Sequence, residues 1–460
     1  MNPPRPTAVA CLAALTTLLV LPAARAEDAP HRYDLFAPPT LIVSAANHPE
    51  VILQDARVHV SFGPERLMLA GGLQPSLLFT KTGALIAQAT LPEHSLPTGW
   101  PASTCVVGTV ISRDNGEHWT RIPLKEGDNG FNMEGGGIQL RDGSILALET
   151  YIQGNGKPDE AIGQLYFSND DWHTLQGPVP VTLHIPGIIF HGSSDDGGNV
   201  SHTARFHRRI LELPNGDLLT TVYGRTEHDV TPSPYMPTMM KCRVVLVRST
   251  NRGRHWEQVS TVAADPAIGT EGFDEAVIGR INQGPHTGRL ICKMRTGQEQ
   301  REAISDDEGK TWSHPYTRIY AGIDVYQTDK WAAMFQGVKD HHGKPVVGNP
   351  AEMVGAVVDP DLVVLRSGIL VASFGVRIPP RACWPRAGYP ANGSYIAISL
   401  DQGATWSHVI QMTSGVLTTH YTAIEEGPDN NHLFFAYDLG DWTSGHGRAI
   451  YGRTVAISVK

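Results

Sequence analysis

Short apolar segments separated by turns centred on glycine or asparagine recur along the chain. Each unit is an apolar strand, a polar turn and a second apolar strand, and the turn centres lie about 60 to 80 residues apart. Two strands joined in this way form a hairpin, and the spacing leaves room for two further strands before the next unit. The turn centres are Gly83, Gly143, Gly216, Gly288, Gly368 and Asn431. The pattern predicts six four-stranded antiparallel sheets.

A second repeat has the form Ser-x-Asp-x-Gly-x-x-Trp. Three copies carry Asp114, Asp307 and Asp401, a fourth carries Asn251 in place of Asp, and Ser168–Trp172 resembles a shortened copy. The Asp or Asn side chain can hydrogen-bond the backbone of a turn, the Gly supplies positive φ, and the Trp packs over the hairpin as an apolar cover. Each copy is therefore predicted to close a pair of strands.

The two repeats together predict an all-β fold, a six-bladed β-propeller of four-stranded antiparallel blades over residues 41–460. The strand-like segment 453–459 is expected to complete a blade that begins near the N-terminus of the mature chain. Closing the ring in this way would leave few free sheet edges.

Composition and the N-terminal residues bear on where the protein works. The net charge of −9 and the lack of a long basic run argue against nucleic acid or an anionic membrane as partner. Residues 1–26 combine Arg5, an apolar run over 8–21 and an Ala-Arg-Ala ending, which is typical of a cleaved signal peptide, and the run is too short to span a membrane. A segment over 27–40 would precede the propeller. We expect an exported, periplasmic or extracellular, soluble monomer without membrane contact after cleavage.

Four cysteines lie beyond the predicted signal peptide, at positions 105, 242, 292 and 383. An even number in an oxidising compartment allows disulfides, and buried thiols are an equally good interpretation. No pair of them has the spacing of a zinc site, so no metal is predicted.

The interleaved repeats resemble the sialidase (neuraminidase) superfamily of six-bladed propeller glycoside hydrolases over nearly the whole mature chain. The resemblance implies retaining hydrolysis of a terminal acidic sugar from a glycan, without metal or cofactor. In such enzymes a neutral Tyr attacks the anomeric carbon, because an attacking carboxylate would be repelled by the carboxylate of the substrate. A Glu takes the Tyr proton, and an arginine cluster binds the substrate carboxylate.

The first strand of each propeller blade lines the central channel, so polar residues at its start are site candidates. Burying such groups costs free energy unless they are paired, and a structural hydrogen bond to a neighbouring blade is an equally good interpretation of any single one. Counting back from the turn centres gives, blade by blade, Leu73-Gln74, Glu134, His207-Arg208-Arg209, Asp274-Glu275, Asp359 and His420-Tyr421.

The resemblance assigns roles to three of these positions and their neighbours. Tyr421 corresponds to the nucleophile, Glu275 to its base, and Arg295 to the second arginine of the carboxylate-binding cluster. The remaining channel residues are predicted to bind substrate: Arg208, Arg209, Asp359, Glu134, His207 and His420.

The sequence departs from the family pattern at three roles. Leu73-Gln74 stands where the first arginine is expected, and Arg208 or Arg209 is a candidate substitute. The general acid has no clear counterpart between 92 and 111, where Glu93 and His94 are the candidates. The third arginine could be any of Arg377, Arg381 and Arg386.

Two other functions therefore stay open. One is a propeller acting on another uronate-bearing polysaccharide, for instance by elimination with His207 or His420 as base, Tyr421 as acid and Arg208 neutralising the carboxylate. The other is a glycan- or protein-binding propeller without turnover. The Gly-rich polar loop His191–His202 could overhang the channel in any of these, or be a solvated connector.

Overall fold

The computed structural model describes residues 49–95, 105–124, 128–189, 204–234, 239–320, 323, 325, 328–340, 343–380, 382–383, 391–442 and 447–460. The predicted signal peptide over 1–26 and the segment over 27–40 lie outside these residues. The described structure is almost entirely β, as predicted. Its only helical elements are a 3₁₀ turn (Met133–Gly135) and two short helices, α1 (Thr328–Met334) and α2 (Pro350–Met353). Within the described ranges, no helix has the length and apolar character needed to cross a membrane.

The strands follow one another as antiparallel meanders. Three strands precede the first meander: β1 (Glu50–Leu53), β2 (Val58–Phe62) and β3 (Arg66–Ala70). The first meander pairs, in chain order, β4 (Leu73–Phe79), β5 (Leu85–Ser95), β6 (Cys105–Ser112) and β7 (Thr120–Ile122). The second contains β8 (Gly137–Gln139), β9 (Ile145–Leu148), β10 (Gln153–Gly154), β11 (Glu160–Ser168) and β12 (Gln176–His184), with β10 attached to β11.

The third meander is joined to the second. It pairs β14 (Ala204–Glu212), β15 (Leu218–Thr226), β16 (Arg243–Ser249) and β17 (His255–Ala263), and the short β13 (Ile188–Ile189) lies on β15. Parallel pairing of β12 with β17 makes one ten-stranded sheet of the two meanders. The fourth meander is separate and contains β18 (Asp274–Arg280), β19 (Leu290–Arg295), β20 (Arg301–Ser305) and β21 (Tyr316–Thr317).

The last two meanders take up strands from the N-terminal part of the described chain. The fifth contains β22 (Ala356–Val364), β23 (Leu370–Arg377), β24 (Gly393–Ser399) and β25 (His408–Gln411), and β1 adds to β25. The sixth contains β26 (Thr422–Glu426), β27 (His432–Leu439) and β28 (Ala449–Val459), and β2 pairs with β28. The expected pairing of the C-terminal strand with an N-terminal one is therefore present.

The predicted turn centres fall where the sequence placed them. Each lies between the first and second strands of a meander and has positive φ, from 59° at Asn431 to 98° at Gly83. The Ser-x-Asp repeats likewise lie between the third and fourth strands. In the copy at Asp307, the Ser305 hydroxyl accepts a hydrogen bond from Gly309 N (2.9 Å) and donates one to the carboxylate (2.8 Å), which also accepts from Thr311 N (2.9 Å). The copies at Asp114, Asn251 and Asp401 and the shortened copy at Asp170 repeat this arrangement.

The apolar core lies between consecutive meanders rather than inside one of them. For example, Val277 and Ile291 of the fourth meander pack with Phe374 of the fifth. Phe434 of the sixth packs with Leu85 of the first, so the last meander also returns to the first. The opening strands β4, β8, β14, β18, β22 and β26 contact one another in this order, and β26 contacts β4. This cyclic packing brings the starts of those strands together.

Candidate active site

Six of the polar residues predicted at the opening strands have an unusual backbone conformation. φ is positive at Gln74 (59°), Glu275 (31°), Asp359 (49°) and His420 (70°), and at the adjacent pair Arg208 and Arg209. In β4, β14, β18 and β22 the pairing with the next strand shifts register at this point, which is a β-bulge. A bulge interrupts the alternation of side chains, so neighbouring polar residues need not point to opposite faces of the sheet.

Tyr421, Glu275 and Arg295 are in direct contact. The Tyr421 hydroxyl donates a hydrogen bond to Glu275 Oε1, and Arg295 Nη1 donates to the same oxygen at 2.6 Å and to the Tyr421 hydroxyl at 3.0 Å. All three side chains are buried. They come from the residue just before β26, from β18 and from the end of β19, so the cyclic packing of the opening strands brings them together. The structure thus brings together the three residues to which the sequence assigned the central roles.

The charges of these three side chains determine whether Tyr421 or Glu275 carries the shared proton. Burial opposes ionisation of Glu275, but the charge of Arg295 and its hydrogen bond outweigh that effect and hold the pKa of Glu275 well below its usual range. Burial, reinforced by the negative charge of Glu275, raises the pKa of Tyr421 well above 10. At neutral pH the pair therefore consists of a neutral phenol donating to a carboxylate.

Arg295 has a second carboxylate partner that the sequence did not reveal. Its Nη2 donates to Glu271 Oε1 at 3.0 Å, and its Nε lies 2.9 Å from Glu271 Oε2. Glu271 is fully buried in the loop before β18, between two glycines of positive φ, Gly269 and Gly272. The two glycines on either side of Glu271 were the feature of the sequence by which this residue could have been found. The Arg295 guanidinium is thus shared by two carboxylates and the phenol before any substrate binds.

A second arginine lies against the nucleophile candidate. The Arg377 guanidinium carbon is 5.6 Å from the centre of the Tyr421 ring, and its Nε and Nη2 donate to Thr419 O at 3.2 and 2.7 Å. Of the three candidates for the third arginine, Arg377 is therefore next to Tyr421, while Arg381 and Arg386 lie outside the described residues. His420 is buried beside it, and burial and the charge of Arg377 lower the pKa of His420 to about 3.

Gln74 lies where the first arginine was expected, and it makes a backbone contact instead. The backbone N–H of Gln74 donates to Asp438 Oδ2 at 2.9 Å, and Asp438 also accepts from the Thr418 hydroxyl at 2.7 Å and from Thr419 N at 2.9 Å. Asp438 is buried at the end of β27 and was not predicted. It ties the first opening strand to the segment that leads into Tyr421.

Arg208 and Arg209 are bound to carboxylates of the neighbouring strands. Arg208 Nη2 donates to both oxygens of Asp359 at 2.7 and 2.8 Å. Arg209 Nε donates to Asp361 Oδ1 at 2.9 Å, and Arg209 Nη1 pairs with Glu425. Asp361 and Glu425 were missed, because their partners are distant in the sequence. Whether Arg208 or Arg209 replaces the absent first arginine stays a prediction; Arg208 pairs with carboxylates of the fifth meander, and Arg209 with carboxylates of the fifth and sixth.

Glu134 and His207 complete the set of predicted channel residues. His207 Nε2 lies 3.8 Å from Glu134 Oε1, and His207 Nδ1 lies 3.0 Å from the carbonyl oxygen of Ala276. Burial and the charge of Arg208 lower the pKa of His207 to about 3, so its imidazole is neutral.

The general acid and the polar loop cannot be placed. The side chains of Glu93 and His94, residues 96–104 and the loop His191–His202 lie outside the described part of the structure. The side chain of Cys105 is not described, whereas Cys242, Cys292 and Cys383 are buried.

Comparison with solved structures finds proteins that superpose on most of this chain. A protein of unknown function from Dyadobacter fermentans is 17% identical and superposes with a TM-score of 0.56, covering 87% of this chain and 99% of its own. The α-L-arabinofuranosidase of Fusarium graminearum is 11% identical with a TM-score of 0.51, covering 85% and 97%. A Hadza microbial sialidase is 16% identical with a TM-score of 0.48, covering 85% and 66%. No protein-family model and no curated protein matches the sequence.

The two superpositions with a TM-score above 0.5 show a shared fold, in agreement with the propeller architecture predicted from the repeats. At these identities the similarity extends to the fold alone, so the chemistry of this propeller has to be argued from its own residues.

Proposed function

We propose that this protein is an exported, six-bladed propeller glycoside hydrolase that removes a terminal acidic sugar from glycans by a retaining mechanism. The observation that carries the proposal is the Tyr421–Glu275 hydrogen bond with Arg295 in contact with both partners. The cyclic packing of the opening strands supports the six-bladed ring.

In the first step Tyr421 attacks the anomeric carbon. The Tyr421 oxygen forms a bond to that carbon as the bond to the leaving oxygen breaks, and the phenolic proton moves to Glu275. Arg295, 3.0 Å from the phenolic oxygen, stabilises the negative charge that develops there as the proton leaves. Protonation of the leaving group falls to a residue whose side chain is not described, for which Glu93 and His94 of β5 are the candidates. Water then attacks the anomeric carbon of the glycosyl–Tyr421 intermediate and gives up a proton to that same residue, while the departing phenolate recovers its proton from Glu275.

The acidic-sugar part of the proposal rests on the two guanidiniums near Tyr421. Arg295 and Arg377 both lie within reach of a substrate bound at the phenol. A neutral nucleophile suits a substrate that carries a carboxylate at the reacting carbon, because an attacking carboxylate would be repelled. The elimination alternative would use Arg208 to neutralise a uronate; Arg208 binds Asp359 through two contacts, as Arg295 binds Glu271 and Glu275.

The test is hydrolysis of a fluorogenic sialoside by the wild type, by Tyr421→Phe and by a matched control, Tyr320→Phe. Tyr320 is also buried and donates to a side chain, Gln300 Oε1 at 2.7 Å, in another meander. We expect Tyr421→Phe to lose activity by several orders of magnitude and the control to stay within about tenfold of the wild type. A fluorinated sialosyl fluoride should leave a covalent adduct on the peptide that contains Tyr421.

Two results would contradict the proposal. One is hydrolysis by Tyr421→Phe at the wild-type rate. The other is a wild type that cleaves no sialoside but generates absorbance near 235 nm from uronate polysaccharides, since that signal reports the unsaturated product of an elimination. A wild type that binds glycans without either reaction would make the protein a binding propeller.

A further inference from the structure

Glu134, His207 and Asp359 converge on one point although they belong to different meanders. One ligand-type atom from each lies within 4.8 Å of the corresponding atoms of the other two, and all three residues are buried. Glu134 lies in the 3₁₀ turn before β8, His207 in β14 and Asp359 at the bulge of β22. Their convergence depends on the packing of the opening strands.

His207 is held in the orientation and tautomer of a ligand. Its Nδ1 lies 3.0 Å from the carbonyl oxygen of Ala276, which can only accept a hydrogen bond, so Nδ1 carries the hydrogen. The lone pair is then on Nε2. This atom is buried and has no hydrogen-bond partner among the described residues, and it faces Glu134 Oε1 at 3.8 Å. A backbone carbonyl that fixes one ring nitrogen while the other stays available is the usual support of a metal-binding histidine.

Asp359 is positioned by its neighbours and keeps a lone pair available. Its Oδ2 accepts from Arg208 Nη2 at 2.8 Å and from Thr422 N at 2.7 Å, whereas Oδ1 accepts only from Arg208, at 2.7 Å, among the hydrogen bonds described. A carboxylate oxygen has about two acceptor sites, so Oδ1 can accept one more contact. The same bonds hold the carboxylate in place.

The surroundings contain further acidic groups and leave space for water. Arg208 lies between Asp359 and Asp361, with Nη1 3.3 Å from the latter, and Glu134 adds a further acidic group. Glu134 and Arg208 also line a cavity of about 30 Å³. This volume exceeds the roughly 10–15 Å³ that one water requires, so water could complete a coordination shell.

We propose that His207 Nε2 and one carboxylate oxygen each of Glu134 and Asp359 bind a divalent transition metal in the channel. One imidazole and two carboxylates suit Zn²⁺ or Mn²⁺ better than Ca²⁺, which prefers oxygen ligands alone. Two ligands at about 2.1 Å from a tetrahedral ion are about 3.4 Å apart. The 3.8 Å between Nε2 and Oε1 therefore has to close by only a few tenths of an ångström. The ion would tie the second, third and fifth meanders together.

The experiment uses the full mature chain, stripped with a chelator and then titrated calorimetrically with ZnCl₂ and MnCl₂, with CaCl₂ for comparison. We expect about one equivalent of Zn²⁺ or Mn²⁺ per chain and a higher thermal unfolding midpoint in its presence. His207→Gln should abolish binding and the shift, and Glu134→Gln should weaken affinity at least tenfold. The matched control is His408→Gln, which removes a buried histidine of the fifth meander that is not part of this cluster.

Three outcomes would overturn the site: no stoichiometric binding by the wild type, binding that His207→Gln and Glu134→Gln leave unchanged, or equal loss in His408→Gln. If His207→Gln does not fold, Glu134→Gln decides by itself. None of these measurements depends on glycosidase activity, so the metal site can fail while the proposed hydrolysis stands, and the reverse.

Discussion

Glu149 gives the sharpest link between this structure and a measurable pH dependence. It is fully buried after β9, and its carboxyl accepts hydrogen bonds from Asn132 N at 2.7 Å and Tyr151 N at 3.4 Å. Burial raises the pKa of Glu149 to about 8, although these backbone bonds oppose the effect. The perturbation is Glu149→Gln, which keeps the shape and the acceptor oxygen but cannot ionise.

The sign follows from proton binding. Between pH 4.5, the ordinary value for Glu, and pH 8, the folded protein holds a proton at Glu149 that the unfolded chain has lost. The contribution of Glu149 to stability is therefore fully present below pH 4.5 and is lost as the pH rises to 8. Each pKa unit corresponds to about 1.4 kcal/mol, so the whole loss is of the order of 5 kcal/mol.

The assay is urea unfolding followed by tryptophan fluorescence from pH 5 to pH 9, for the wild type and Glu149→Gln. Relative to the wild type, the unfolding free energy of Glu149→Gln should increase by a few kcal/mol as the pH rises through this range, and this difference should level off above pH 8. Using the difference removes the titration of other groups, including Lys293, whose pKa burial lowers to about 8 and whose effect has the opposite sign. A difference that does not vary with pH would refute the reasoning.

The same substitution at Glu425 is the matched comparison. Burial raises the pKa of Glu425 to about 7 against the opposing charge of Arg209. The pH-dependent part of the difference between the wild type and Glu425→Gln should therefore end about one pH unit lower than for Glu149→Gln. At every pH, Glu425→Gln should also be less stable relative to the wild type than Glu149→Gln is, because the substitution leaves Arg209 with Asp361 as its remaining carboxylate partner.

Two further predictions concern single contacts. Gly309→Ala should destabilise the protein by about 1–3 kcal/mol more than Gly216→Ala, as measured by chemical unfolding. Both glycines have positive φ, but a Cβ at position 309 would lie 2.1 Å from Leu246 Cδ2, whereas no atom lies within 4 Å of a Cβ at position 216. Equal effects of the two substitutions would contradict this prediction. Arg295→Lys should lower kcat/KM for a sialoside at least a hundredfold, because one ammonium group cannot hold two carboxylates and the phenol together. Circular dichroism should show that the fold is retained. Wild-type kinetics in this variant would count against the role of Arg295.

The local parts of the fold were readable from the sequence. Glycine and asparagine mark the hairpins because they accept positive φ, and the Ser-x-Asp repeats mark the outer turns because their side chains bond the turn backbone. Counting back from the turns then located Glu275 and Tyr421, which meet although 146 residues separate them. Regular repeats make such a long-range contact predictable, since equivalent positions in successive meanders point toward a common axis.

The partners of these residues could not be read in the same way. Glu271 lies in a loop ahead of its strand, and Asp361 and Glu425 continue the strands beyond the counted positions. Their significance depends on which arginine faces them across a meander boundary, and that is decided by tertiary packing. The bulges were equally hidden, because an apolar–polar pattern predicts only strands with strict alternation of side chains.

The bulges and the buried ion pairs have a common physical basis. A non-glycine residue at positive φ costs about 1–3 kcal/mol, and such residues recur at the opening strands. Three of them are bonded to another strand: Gln74 to Asp438, Arg208 to Asp359, and Glu275 to the backbone of Asp359 at 3.2 Å. These bonds offset the strain and turn the side chains toward one centre. It follows that Arg208 and Asp359 hold neighbouring opening strands together, and that Arg295 and Arg377 are the arginines in contact with the Tyr421 phenol and its ring.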